Sequence, residues 1–341
     1  MEHEIDYAPG RTGTDQVLFA HDGNLGRILL NRPKAINSLN AEMCRAILEQ
    51  LRLWADDPAI KTVTVEGAGE RGLCAGGDVK SLRQAVVADP KSPAPAEFWE
   101  TEYEMNQLVA DYPKPYLAVM DGVCMGGGLG ISAHGSIRLV TPRSKLAMPE
   151  TIIGFFPDVG MLHLLSRMPG EFGTFLALTG RTIGAGDALA AGLADHLIAE
   201  ADIQPHLAAT AAGGVVAAAP AAPEPELFGA GWIAECFVGD DAQAIVRRLG
   251  DHDDEGARRA AEDITARSPF AVSLTLAALR RAAELSLSEV LAQDLRLSRH
   301  FATDPDFLEG VRCQLVDRGD TPQWRHRSLA DVDPAEVAAL F

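Results

Sequence analysis

Short aliphatic and β-branched runs alternate with amphipathic stretches from about Gln16 to Ile198. Val17 to Ala20 and Arg27 to Leu30 read as paired strands around a polar turn, His21-Asp22-Gly23-Asn24, since turn residues between two apolar runs favour a hairpin. Asn40 can cap a helix on which Met43, Ile47, Leu51 and Trp54 share one face, at the three-to-four-residue spacing of an amphipathic helix. Thr62 to Val65, Tyr116 to Met120 and Ile137 to Val140 read as buried strands. Strands separated by helical stretches predict an α/β fold with largely parallel pairing.

The pattern thins from Ala199 to Leu227, where AATAAGGVVAAAPAAPEPEL reads as a loose connector or a frayed helix plus linker. Beyond it, Ala242 to Leu249, Glu255 to Ala266, Val272 to Glu284 and Leu287 to Phe301 read as helices, and a short terminal helix is expected after Trp324. The expected organisation is a catalytic region over 1–198, a connector over 199–227 and a helical C-terminal region over 228–341.

Charge and cysteine usage narrow the partners. Lys and Arg number 30 against 48 for Asp and Glu, a net charge of -18. Nucleic acid and anionic membranes are thereby excluded as partners, because phosphate binding depends on clustered basic residues. Five cysteines at 44, 74, 124, 236 and 313 show no CxxC spacing, and nine histidines include no HExxH. Neither a metal site nor a disulfide framework is expected, and free thiols suit a reducing compartment. The polar, acidic start MEHEIDYAPGRTGTD lacks the basic and apolar parts of a signal peptide. No run approaches the roughly 20 apolar residues of a membrane helix. The expectation is a cytoplasmic, soluble protein.

Two glycine turns are the first candidates for chemistry. Cys74-Ala75-Gly76-Gly77-Asp78 follows the strand at 62–65 and precedes a helix from Val79 to Val87; Met125-Gly126-Gly127-Gly128-Leu129-Gly130 follows the strand at 116–120. Helix starts leave backbone N–H groups without partners. Two such turns meeting in space could form an oxyanion hole, although glycines there also serve tight turns and close packing. Gly128-x-Gly130-x-x-Ala133 is only a loose dinucleotide fingerprint, and Gly130-Ile131-Ser132-Ala133-His134 just misses a nucleophile elbow. Glu150 in Met148-Pro149-Glu150-Thr151 and Asp158 in Phe155-Phe156-Pro157-Asp158-Val159-Gly160 flank an apolar run. Such surroundings raise a carboxylate's proton affinity and suit it to base or nucleophile work. Asp158 could equally cap a helix over 159–168, and Asp78 reads as a cap. Lys34 and its neighbours in Asn31-Arg32-Pro33-Lys34-Ala35 form either a solvated turn or a local patch for a phosphate-bearing ligand.

In combination, NRPKAINSLN, CAGGD, DGVCMGGGLG, and MPE followed by GFFPDVG resemble the crotonase (enoyl-CoA hydratase/isomerase) superfamily in order and spacing. That resemblance implies a crotonase-like spiral of ββα units holding an acyl-CoA thioester. It implies oxyanion-hole N–H groups from Gly77 and Gly127, with Lys34, Ala35 and Ala75 along the coenzyme A moiety. Hydratases of the superfamily carry a second glutamate just after the glycine turn, where this chain has Gly130. The segments GGGLGISAHG, MPET, GFFPDVG, FLALTG and the ending FLEGVR through Trp324 resemble the 3-hydroxyisobutyryl-CoA hydrolases instead.

The implied activity is hydrolysis of a short 3-hydroxyacyl-CoA, with Glu150 as nucleophile or base and Asp158 orienting Glu150 or the substrate hydroxyl, or handling protons. Glu102 matches an acidic position that those hydrolases place near the substrate, and it could also be one charge on a solvated helix face. No metal or redox cofactor is implied, coenzyme A entering as part of the substrate. The rivals are a hydratase or dienoyl-CoA isomerase on the same fold, the latter resembling this Glu-plus-Asp pair, and a non-catalytic acyl-CoA binder. The resemblance admits a homo-oligomer, since helical C-terminal parts build trimers in many members; the longer hydrolase-type ending would instead cover that surface.

Overall fold

Largely buried, apolar-rich runs along Val17–Asp22 and Leu25–Leu30 produce the expected hairpin, but with a tighter turn. His21 and Asp22 pair with Gly26 and Leu25, so only Gly23 and Asn24 remain to close it. Gly23 takes the left-handed φ of 57° that a two-residue hairpin turn needs. These strands come from a computed structural model that describes residues 5–214 and 221–341. Residues 215–220 of the expected connector lie outside the described residues.

In chain order the strands are β1 (Ala8–Pro9), β2 (Val17–Asp22), β3 (Leu25–Leu30), β4 (Thr62–Gly67), β5 (Tyr116–Met120), β6 (Val123–Met125), β7 (Ile137–Val140), β8 (Lys145–Ala147) and β9 (His196–Leu197). One seven-stranded sheet runs β1-β2-β3-β4-β5-β7-β9, and β6 pairs with β8 in a second. The first three strands are antiparallel, and from β3 onward each neighbour is parallel. This is the predicted layered α/β arrangement.

The contacts divide the chain into two compact units, each drawing on separated stretches. The first comprises 1–77, 101–146 and 183–226; the second comprises 78–100, 147–182 and 227–341.

In the first unit the Asn40 side chain accepts from Met43 N at 2.9 Å, opening the helix Ala41–Asp56, whose Met43, Ile47, Leu51 and Trp54 are buried. A core of Leu25, Leu117, Val119, Leu139 and Ile198 packs with Leu207 and Ala211, the last two from the helix Ile203–Ala211 within the expected connector. Arg27, 2% exposed, donates to both Glu66 oxygens and to Asp22. The buried guanidinium thus has its charge matched and its donors used.

The second unit is mainly helical. Ala242–Asp251, Glu255–Thr265 and Leu287–Phe301 match their expected ranges closely. The helix Pro269–Ala282 starts before the expected Val272, because Ser268 accepts from Ala271 N and Pro269 occupies the first turn. The terminal helix is short, Pro334–Ala338. A second correction concerns Asp158. The helix after it spans only Met161–Leu165, and Gly160, not Asp158, holds the N-cap position. Val159 and Gly160 have φ of 52° and 75°, so the chain has not yet entered a helix there.

Candidate active site

In the first unit the two glycine turns lie against each other. Cys74 and Cys124 are bridge partners, Cys74 N donates to Val123 O at 3.1 Å, and Met125 N donates to Cys74 O at 2.9 Å. Gly126 adopts φ 52° and ψ -123°, a conformation that only glycine tolerates readily. Gly127 then opens the helix Gly127–Gly130, a position whose N–H has no partner within a helix. A Cβ at Gly127 would stand 3.4 Å from Gly77 N and 2.4 Å from Glu102 Oε1. Gly77, Gly127 and Glu102 therefore converge, with two backbone amides beside a carboxylate.

Glu102 is 2% exposed, which removes the solvated-face reading. It sits on the helix Ala94–Ala110, whose residues from Thr101 onward belong to the first unit. One turn further along the same helix, Asn106 is fully buried, and neither of its side-chain polar atoms has a hydrogen-bond partner among the described residues.

Lys34 and Ala35 lie on an exposed single-turn helix, Pro33–Ala35. Ala75, also exposed, donates from its N–H to Ile36 O at 2.9 Å. The structure thus brings the three expected coenzyme A residues side by side. Arg71, which the sequence reading passed over, donates to Lys34 O at 2.6 Å and to Pro33 O at 2.8 Å, adding a second cation to this edge. All five cysteines are free and buried. Burial pushes the Cys124 thiol up to about 12, so it is inert as a nucleophile.

In the second unit Glu150 and Asp158 are 8% and 6% exposed. Glu150 begins the 3-10 turn Glu150–Ile153, and Phe155 N returns to its carbonyl at 3.0 Å. The turn is braced by the helix Pro305–Val311: Gly310 fits against the Ile153 backbone and Gly154 against the Asp306 carbonyl. The next residue, Phe155, stacks on Trp99 at 5.5 Å and meets Phe301 and Phe307 at 5.1 and 5.2 Å. Burial, then the charge of Asp158, hold the Glu150 carboxyl well above the usual carboxylate range, and its own backbone N–H opposes them. Its Oε2 has no hydrogen-bond partner among the described residues. The pair can thus accept a proton or present a poorly solvated, reactive carboxylate oxygen.

His134 is half-buried in the turns that follow the Gly127–Gly130 helix. Ser132 is fully buried and donates to Gly128 O at 2.6 Å; its hydroxyl proton is already committed to the backbone.

These features define an acyl-CoA enzyme of the crotonase fold. The family model described as enoyl-CoA hydratase/isomerase matches residues 25–341, and the chain belongs to that family. Among curated proteins it is 35% identical to rat mitochondrial 3-hydroxyisobutyryl-CoA hydrolase, covering 97% of this chain and 89% of that protein. It is 34% identical to the human mitochondrial 3-hydroxyisobutyryl-CoA hydrolase, covering 99% and 92%. Among solved structures, a carnitinyl-CoA dehydratase from Mycobacterium thermoresistibile superposes with a TM-score of 0.89 at 43% identity, covering 96% of each chain. An enoyl-CoA hydratase from Rhodobacter sphaeroides 2.4.1 does so with a TM-score of 0.91 at 38% identity, covering 96% and 97%. The mitochondrial relatives lend no support to the cytoplasmic expectation. Among the described residues no helix is long and apolar enough to cross a membrane.

Proposed function

We propose that the protein hydrolyses a short 3-hydroxyacyl-CoA thioester, with 3-hydroxyisobutyryl-CoA of valine breakdown as substrate. The relatives that bear that activity in their names support the substrate. The state of Glu150 supports the chemistry: a buried carboxylate with a raised proton affinity and an oxygen without a hydrogen-bond partner.

In this reading the thioester carbonyl oxygen accepts from the N–H groups of Gly77 and Gly127. Backbone donors of this kind stabilise the negative charge of the tetrahedral intermediate, and losing one raises the barrier by about 3 kcal/mol. Glu150, ionised, either attacks the carbonyl carbon or takes a proton from the attacking water. In the general-base route Glu150 takes the proton of the attacking water and hands it to the departing coenzyme A sulfur. In the covalent route the thiolate leaves an acyl-Glu150 anhydride. Its hydrolysis by water frees the acid, restores the Glu150 carboxylate and supplies the proton for the thiolate. Asp158 orients Glu150 or the substrate hydroxyl, or relays the proton between Glu150, water and the leaving thiolate. Glu102 accepts from the 3-hydroxyl group of the acyl chain. Lys34, Ala35 and Ala75, with Arg71 beside them, run along the coenzyme A moiety. These steps use backbone donors and carboxylates, so they call for no resident metal or redox group.

A hydratase or dehydratase is the second reading, because the two structural neighbours carry those names. Against it stands Gly130, fully buried in the short helix after the glycine turn, where the hydratases that the chain resembles have a glutamate. Free-thiol release from 3-hydroxyisobutyryl-CoA, measured beside crotonyl-CoA absorbance, separates the two. Thiol release without crotonyl-CoA hydration is expected. Hydration without thiol release would overturn the hydrolase, and neither signal would favour a non-catalytic acyl-CoA binder.

A further inference from the structure

The turn that carries Asp158 is held by a residue from the helix Leu287–Phe301. Gly160 N donates to Asp294 Oδ2 at 2.8 Å. Asp294 is fully buried, in a helical stripe with Val290, Leu291, Leu297 and Phe301. Packing alone would fill that position with an aliphatic side chain, since a buried carboxyl costs free energy unless its oxygens are matched. Asp294 Oδ1 has no hydrogen-bond partner among the described residues. The backbone it anchors is strained, because the β-branched Val159 has a φ of 52° and is followed by Gly160 at 75°. Such a conformation persists only where surrounding contacts hold it.

We propose that Asp294 is a positioning residue for Asp158, fixing the left-handed turn at 159–160 through its hydrogen bond to Gly160. Burial first, opposed by that hydrogen bond and reinforced by the charge of Asp158, holds the Asp294 carboxyl well above the usual carboxylate range. This raised proton affinity suits Asp294 to anchor the turn as a neutral acid. The inference rests on the reading that Asp158 serves thioester hydrolysis.

Two substitutions in the full chain test it. Asp294→Asn keeps a neutral group whose amide oxygen can accept from Gly160, and kcat should stay within about threefold of the parent. Asp294→Leu keeps the branched shape with two larger methyl groups and removes the acceptor. Its kcat should fall by about ten- to thirtyfold with KM for the acyl-CoA nearly unchanged, and hydrogen exchange over 158–161 should quicken. Parental kcat and exchange in Asp294→Leu would overturn the proposal, as would an Asp294→Asn protein as impaired as Asp294→Leu. Should Asp294→Leu fail to fold, Asp294→Asn decides alone: a folded protein with kcat lowered more than about tenfold refutes a neutral anchor. A parent that releases no thiol overturns the hydrolase reading instead, and the exchange measurement still reports whether Asp294 holds the turn.

Discussion

Gly127 and Glu102 leave no room for a side chain between them: a Cβ at Gly127 would stand 2.4 Å from Glu102 Oε1 and 3.4 Å from Gly77 N. Gly127 sits in a short helix with no positive φ of its own, so the need for glycine is steric. Gly127→Ala must displace the Glu102 carboxylate or part the two glycine turns. Thiol release should fall by a factor on the order of 100 to 1,000, the loss typical of a misplaced oxyanion donor. Far-UV circular dichroism should match the parent. An alanine protein with parental kcat would remove Gly127 from the proposed oxyanion hole.

Glu102 tests substrate choice. If its carboxylate accepts from the 3-hydroxyl group, Glu102→Ala loses a charge-assisted hydrogen bond of about 1.5–3 kcal/mol, or roughly ten- to a hundredfold in kcat/KM. That loss should appear for 3-hydroxyisobutyryl-CoA and be much smaller for isobutyryl-CoA, which lacks the hydroxyl. Equal losses for both thioesters would give Glu102 a role in the site's structure instead.

Glu150 joins activity to pH and stability. Its folded-state pKa is raised, by burial first and Asp158 next. The neutral form's contribution to stability is therefore fully present below the unfolded-state value of about 4.3, and is lost as pH rises through the folded value. Thiol release should climb over the same upward-shifted range, because the ionised form is the reactive one. Glu150→Gln should lower kcat by a factor on the order of 1,000. It should also melt higher than the parent at pH 8 by roughly 1–2 °C for each kcal/mol relieved, and no higher at pH 4. A glutamine protein less stable than the parent at pH 8 would contradict this account.

How far the sequence could be read follows from which positions leave a local pattern. The hairpin, the Asn40 cap and the parallel strands were legible, because apolar spacing and turn residues act over a few neighbours. Glu150 was legible from its apolar surroundings. Glu102 was singled out only through the resemblance and read equally as one charge on a solvated face, since only the helical rotation decides that Glu100 and Glu104 face water while Glu102 is buried. Asp294 stood at an inward position of its helix, an ionisable residue on a face shared with Val290, Leu291, Leu297 and Phe301 and with the buried polar Gln293 and Ser298, and its carboxyl was the available signal. Arg71 and Asn106 carried no such mark. Nor did periodicity reveal that the two compact units interleave along the chain, because that partition depends on contacts between distant segments. The helix expected at Asp158 failed because Val159 takes a left-handed conformation, which β-branched residues rarely do.

The basic edge should govern affinity and leave the chemical step alone. Lys34 is exposed, and Arg71 donates to its carbonyl; in the proposed reading both cations would meet the coenzyme A phosphates against an overall charge of -18. Lys34→Glu should raise KM for acyl-CoA by about tenfold at low salt, with kcat retained, and the gap should narrow as added salt screens the charges. A KM that ignores the substitution would detach this edge from coenzyme A.

The helix Pro305–Val311 should matter to catalysis through Glu150. Gly310 lies where the helix Pro305–Val311 meets the Glu150–Ile153 turn, and a Cβ there would stand 2.4 Å from the Ile153 carbonyl carbon and oxygen. These are backbone atoms, so no side-chain rotation can relieve the contact. Gly310→Ala should destabilise the protein by about 1–3 kcal/mol as overpacking does, visible as a lower denaturation midpoint. Relief can come only by the helix withdrawing or the turn shifting, and either moves the Glu150 carboxylate from its seat. At a temperature where the variant is fully folded, kcat should therefore fall more than KM changes. A variant that loses stability but keeps parental kcat would show that the helix braces the fold without aiming Glu150.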